Sequence, residues 1–214
     1  PFAKYWLHSA HLVIKGEKMA KSKGNFYTVQ DLLEEGYDPT VLRYMLLSVH
    51  YRKQLDFTND TMVQTKGALN RLRDFLYRLR QESFSAGKSS AVEDLAHKAI
   101  RSFEEALDDD LNISGALAAM FELIYEANKL ADSKSLFADD IPILEAAIRK
   151  MDTVFGVAQF PEESISAEIE NWIEKRNQAR RKKDFNTADE IRTMLLNQGI
   201  LLEDTPAGTR WKKI

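Results

Sequence analysis

From Thr58 to about Gln81 a seven-residue repeat runs along the chain, Met62, Leu69 and Leu76 in one register and Thr65, Leu72 and Leu79 in another. Such a repeat keeps one seam of an α-helix facing a partner, and it does not suit a strand, whose faces alternate at every second residue. A helix with a seam of this length needs other helices to cover it. The sequence supplies them: after the polar stretch "SFSAGKSS" (83–90), Val92, Leu95, Ala99 and Phe103 continue as a second helix. Two more are predicted at roughly 113–131 and 140–155, with "ADSKSLFADD" between them. Residues 58–155 are therefore expected to form an antiparallel four-helix bundle.

Both flanks of this bundle follow different rules. Residues 5–14 read as short extended runs around His8, Ser9 and Ala10. Thr28 stands as an N-cap with Asp31 in capping-box position, and Gly36 ends the short helix that follows. Asp38-Pro39 starts another helix, in which Leu42, Met45, Leu46 and Val49 share the spacing of a core-facing stripe. Beyond the bundle, "GVAQFPEES" (156–164) has the composition of a linker. Helices are expected at 165–183 and from Asn186 to about Gln198, with a turn at Pro206 and Gly208 joining two terminal strands.

Composition narrows the class. No apolar run approaches the roughly 18 residues that span a bilayer, and no signal peptide or lipidation motif is present, so a soluble, cytoplasmic chain is expected. With no cysteine, disulfides, a thiol nucleophile and cysteine-ligated metals are excluded within these residues. Because Pro1 opens inside a strand-like run, a fragment of a longer protein is expected. The net charge of −3 is unevenly spread: Ser164 to Ile214 carries ten Lys/Arg against eight Asp/Glu. A nucleic acid would sit more readily at that end.

Two stretches carry chemistry. "GEKMAKSKGN" places Lys18, Lys21 and Lys23 between Gly16 and Gly24. Ammonium groups on movable stems, over backbone that glycine lets come close, suit a polyphosphate, although the spacing is not that of a P-loop. The bland alternative is an exposed turn. The second stretch, Lys175 to Lys183, holds six cations in nine residues, with Arg176, Arg180 and Lys183 at i, i+4 and i+7. A solvated helix face is its ordinary explanation. The nearby aromatics Phe185 and Trp211 and the acceptors Asp189 and Asp204 also make a kit for an unpaired loop of RNA.

Lys18-Met19-Ala20-Lys21-Ser22 resembles the Lys-Met-Ser-Lys-Ser signature of class I aminoacyl-tRNA synthetases, with alanine for the middle serine. "YWLHSAHLVIKGEKMAKSKGNFYTVQDLL", "YDPTVLRYMLLSVHYRKQLDF", "ALDDDLNISGAL", "RNQARRKKDFNTADEIR" and "GILLEDTPAGTRWKK" are similar, nearly position by position, to cysteinyl-tRNA synthetases. The resemblance covers essentially the whole chain and is least specific at 130–165. It implies a mainly α architecture: the end of a class I Rossmann-type catalytic domain at 1–57, a tRNA-binding type of bundle at 58–155, a linker at 156–164, and a small α+β anticodon-binding module at 165–214.

By that resemblance Lys21, assisted by Lys18, contacts ATP and stabilises formation of cysteinyl-adenylate, with Ser22 beside them. Arg176, Arg180, Phe185, Asp189, Asp204 and Trp211 match the anticodon-recognising positions, Phe185 standing where tryptophan is frequent. The implied partners are ATP with Mg2+, cysteine and a tRNA with a GCA anticodon, served by a monomer. The catalytic zinc and the other ATP signature belong upstream of these residues, so this stretch alone is expected to be inactive.

Three further features receive no function. Asp108-Asp109-Asp110 lacks the alternation and glycine of a calcium loop and reads as a helix boundary. His8 and His11, three apart in an extended run, point to opposite faces rather than to one metal. The arginines of 71–80 flank a core stripe and read as its wet face, with the tRNA body as a second possibility. Two rival functions remain: a non-catalytic RNA-binding derivative, disfavoured by the intact Lys18/Lys21 pair, and a cysteine ligase with a small-molecule acceptor, disfavoured by the arginine-rich end.

Overall fold

A computed structural model describes residues 2–14, 16–160, 166–205 and 208–213. Pro1, the 161–164 part of the expected linker, and Pro206 in the expected terminal turn lie outside the described residues. Among the described residues the fold is mainly helical with two small sheets, and the chain divides into two compact units, Pro1–Leu72 with Ala86–Ala158 and Arg73–Ser85 with Gln159–Ile214.

In the first unit β1 (Leu12–Ile14) runs antiparallel to β2 (Glu17–Lys18) and parallel to β3 (Leu55–Asp56), giving the order β2-β1-β3. Of the extended runs expected at 5–14, only Leu12–Ile14 pairs as a strand. The N-terminal signals of both short helices hold. Thr28 caps α1 (Val29–Glu34) in a two-way box, accepting from the Asp31 N–H at 3.1 Å while its own N–H donates to the Asp31 carboxylate at 2.7 Å. Those bonds, the Thr28 backbone N–H first, hold the Asp31 carboxyl below its ordinary pKa.

Asp38 caps α2 (Pro39–Leu47), whose first residue is the proline. The stripe expected on α2 is partly displaced. Leu42 and Met45 are buried, but Leu46 is exposed and Val49 lies past the helix end. Val41 and Tyr44 fill the core instead, because the face of α2 that is covered is set by its neighbours rather than by its own period, and the helix stops before Val49.

The long helix is α3 (Asn59–Gln81), and all six of its heptad residues are buried. Its last turns belong to the second unit. α4 (Ser90–Asp108), α5 (Ile113–Asp132) and α6 (Ile141–Phe155) follow close to the expected bounds, and α4 packs against both α5 and α6. Met120, Leu123, Leu144, Ile148, Met151 and Phe155 are fully buried among them, with Phe103 edge-on to Phe155 at 5.4 Å between ring centres. Two polar devices fix how these elements meet. Buried Asp140 accepts the backbone N–H of Ser89 at 2.9 Å and of Phe137 at 3.0 Å, so one carboxylate satisfies the starts of two segments. Arg43 of α2 donates to the carbonyls of Val154 (3.1 Å) and Phe155 at the C-terminus of α6, where a cation also meets the negative end of the helix. Gly156 then ends α6 at φ 61°, and a Cβ there would lie 2.9 Å from Arg43 Nε. Glycine meets both conditions without strain at the backbone or displacement of Arg43.

The second unit contains α7 (Ala167–Arg181), α8 (Phe185–Asn197) and the antiparallel hairpin β4 (Ile200–Thr205) and β5 (Gly208–Lys213). Ile191, Leu195, Ile200 and Leu202 form its core, with Ile169, Trp172, Ile173, Met194 and Trp211 packed against them. The end of α3 belongs here for visible reasons. The Gln81 side chain pairs with the Trp211 backbone in both directions, at 2.7 and 2.8 Å. Glu82 accepts from Arg210 and Arg78, and Asp74 accepts from Lys212.

Candidate functional site

The lysine loop grows out of the β1–β2 hairpin. Gly16 turns the chain at φ 78° and its N–H donates to Asp56 at 3.2 Å, so the hairpin is tied to the end of β3. Met19 N–H then returns to the Leu12 carbonyl at 3.1 Å, which aligns Lys18 at the sheet edge. Lys21–Lys23 form one 3-10 turn closed by Gly24 in the left-handed region. Lys21 and Ser22 stand exposed on it, as does Lys18 at the end of β2. Lys23 pairs with Glu17 at 3.1 Å, whereas the Lys21 ammonium lies over the Phe26 ring, 5.1 Å from its centre. The side chain of Asn25, half-buried, reaches back to accept from Ala20 N–H at 2.9 Å and donate to the Lys18 carbonyl at 3.3 Å. The structure therefore groups the expected phosphate-binding residues on one short, cross-braced loop.

The second set lies in the second unit. Arg176 is almost fully buried, and its guanidinium meets the Asp204 carboxylate on β4 in a two-point fork, 2.5 and 2.7 Å. Arg180, one turn on, also pairs with Asp204 but keeps 43% of its side chain in water. Thr209 on β5 completes the knot, its hydroxyl 2.8 Å from Asn177 Oδ1 and 3.1 Å from Asp204 Oδ1. The Arg176 donors hold the Asp204 carboxyl far below the usual carboxylate range, and that same carboxylate raises the Arg176 pKa. Phe185 and Asp189 are exposed at the start of α8, Phe185 at 58%. Trp211 is half-buried, its ring edge-on to Tyr77 at 5.8 Å.

Two sequence readings change here. Arg176 shares no open face with Arg180, because it turns into the helix–hairpin junction. Lys183 is not on the helix at all: α7 ends at Arg181, and Lys183 sits at φ 61° ahead of the Asp184 cap of α8. Helical spacing alone assigned three cations to one surface. The acidic run supplied a further contact that spacing did not reveal. Asp110, at φ 52° beyond α4, accepts from Tyr51 at 2.5 Å and from Arg52 at 2.7 and 3.1 Å, while its carbonyl lies 2.9 Å from the His50 ring. The Arg52 bonds lower the Asp110 pKa to about 2. Among the described residues no three His, Cys, Asp or Glu are grouped to hold a metal, and no helix is long and apolar enough to cross a membrane.

Comparison with known proteins places these features in order. Residues 1–67, which include the lysine loop, match a family model described as the class I (C) tRNA synthetase catalytic domain. Residues 102–159 match a DALR domain, and neither match reaches the C-terminal module. The chain is 41% identical over 214 residues to a cysteine–tRNA ligase of Protochlamydia amoebophila, covering 99% of this chain and 45% of that protein. It is 40% identical over 215 residues to one from Solibacter usitatus (99% and 46%), and 39% identical over 221 residues to one from Bacillus licheniformis (100% and 46%). The chain thus spans about half the length of the curated relatives it matches.

Proposed function

The chain belongs by sequence to the cysteine–tRNA ligase family, class I aminoacyl-tRNA synthetases, and from that premise we propose that it is the C-terminal portion of an enzyme joining cysteine to its tRNA. The observation that carries this is the similarity along nearly the whole chain, lysine loop and terminal module included. Residues 1–57 are then the end of a Rossmann-type catalytic domain, 58–155 the tRNA-binding bundle, 156–164 a linker and 165–214 the anticodon module.

In this reading ATP, as its Mg2+ complex, is attacked at the α-phosphorus by the carboxylate of cysteine, and the bond to pyrophosphate breaks. Lys21 and Lys18 meet the negative charge gathering on the departing pyrophosphate, and Ser22 adds a hydroxyl at the same rim. One donor so placed is worth about 3 kcal/mol in the transition state. A ribose hydroxyl of the tRNA then takes the cysteinyl group and AMP leaves. The zinc that the resemblance implies has no ligand set among the described residues.

The six anticodon residues divide between two roles. Arg180, Phe185 and Asp189 face solvent and contact the unpaired bases of a GCA anticodon, by charge, stacking and acceptance from exocyclic amines. Arg176, Asp204 and Trp211 hold the helix and hairpin that present them. The test is binding of this chain to a GCA tRNA and to the same tRNA with its first anticodon base changed, across a salt series. Phosphate contacts weaken both alike, whereas base readout survives as a ratio. A loss of at least about tenfold, roughly 1.4 kcal/mol, is expected for the changed base. Equal binding at every salt overturns the anticodon assignment.

A further inference from the structure

We infer that Asn25 is a positioning residue for the lysine loop, its side-chain amide setting Lys18 and Lys21 for a polyphosphate before one arrives. The inference rests on the ATP reading of that loop. Lys18 and Lys21 are surface cations on either side of an extended residue, Ala20, at φ −152° and ψ 140°. A loop with three lysines, a serine and a glycine has many open conformations, and ordering it costs about 1–2 kcal/mol per residue. Asn25 opposes that freedom with both ends of one amide: Oδ1 accepts from Ala20 N–H, and Nδ2 donates to the Lys18 carbonyl. The two bonds close the loop across the signature, from the residue after its last glycine to the two residues that flank Met19. A carboxylate could make only the first bond and a lysine only the second.

The next residue completes the arrangement. The Phe26 ring lies under the Lys21 ammonium and gives it a seat without neutralising it. Lys23, by contrast, is paired to Glu17, which leaves Lys21 as the cation held toward the ligand by a neutral group. Asn25 therefore governs both the backbone of the signature and the approach of Phe26 to its second lysine.

The test uses the 214-residue chain with inorganic tripolyphosphate as the probe, comparing the unaltered protein with Asn25→Ala, Asn25→Asp and Lys21→Ala. Two hydrogen bonds of ordinary net strength predict that Asn25→Ala binds the probe about tenfold more weakly. The same variant should show faster hydrogen exchange at the Ala20 amide and a smaller ring-current shift of the Lys21 ε-methylene protons. Asn25→Asp keeps the acceptor, so Ala20 protection should survive in it. If Lys21→Ala weakens binding while Asn25→Ala changes neither binding nor Ala20 exchange, the positioning role is wrong and the ATP reading stands. If the unaltered chain does not bind the probe, or Lys21→Ala binds equally well, the ATP reading itself falls and the inference falls with it.

Discussion

Replacing Asp204 by Asn tests whether the Arg176 pair organises the C-terminal unit. The side chain of Arg176 is 4% exposed and that of Asp204 38%, so the substitution leaves a nearly buried guanidinium facing a neutral amide. Removing one partner of a fully buried ion pair costs about 3–5 kcal/mol. Because Asp204 is more than a third exposed, water replaces part of what is lost, and Asn retains one acceptor. A cost of about 2 kcal/mol follows. In a unit of about 70 residues that lowers the midpoint of thermal unfolding by roughly 10 °C. Trp172 and Trp211 both lie in this unit, so fluorescence in a Trp6→Phe background reports it selectively.

The double variant Arg176→Met/Asp204→Asn should recover most of the loss, because it removes the orphaned charge while keeping the volume. Acid supplies an independent check. The carboxyl is held far below its ordinary pKa, so its contribution is fully present above about 3.9, the unfolded value, and is lost as pH falls toward the folded value. The difference between the natural protein and Asp204→Asn should therefore shrink as the solution is acidified below pH 4. A shift under about 3 °C at neutral pH, with no recovery in the double variant, would falsify the claim that this pair holds the unit together.

Asp140→Ala removes the shared acceptor of Ser89 and Phe137 and should cost about 2–4 kcal/mol, read from urea unfolding of the first unit. Gly156→Ala forces a Cβ against Arg43 at positive φ and should destabilise by at least about 1 kcal/mol; an unchanged midpoint refutes that account of the α6 terminus. Asp110→Asn should speed amide exchange at Leu111 and Asn112, which close the turn beside it, and exchange at the natural rate would make the Tyr51 and Arg52 contacts incidental. On the proposed ligase reading, Lys21→Ala in the full-length protein should slow adenylate formation about a hundredfold, measured by pyrophosphate exchange, and a change under threefold removes Lys21 from the chemistry.

Where one local rule decides an outcome, the sequence predicts it well. The heptads of α3 appear as six buried residues, and the cap signals at Thr28 and Asp38 appear as capped helices, because periodicity and capping depend on neighbours within a few positions. Less was legible where distant segments compete. Leu46 fits a core spacing yet is exposed, since the surface that α2 covers is set by its partners rather than by its own period. The end of α3 shows the same limit from the other side. Its seam predicts a bundle, while Gln81 and Glu82, polar and unremarkable in sequence, bind a hairpin about 130 residues away.

The candidate sites divide along the same line. Lys18, Lys21 and Ser22 could be singled out in the sequence because the pattern proposed for a phosphate loop consists of residue types close together in the chain. What braces the loop could not be, since an asparagine after a glycine reads as turn chemistry until its amide is seen to accept from Ala20 and donate to Lys18. Arg176 is the converse case. Counted among six cations it resembles a ligand contact, yet in the structure it is buried and forked onto Asp204, while Arg180 and Phe185 in the same unit stay exposed. To meet a ligand, a cation so nearly sealed from water would first have to give up a buried pair, which costs several kcal/mol. Composition identifies where a ligand of given charge can bind, while exposure divides the residues that meet it from those that hold them in place.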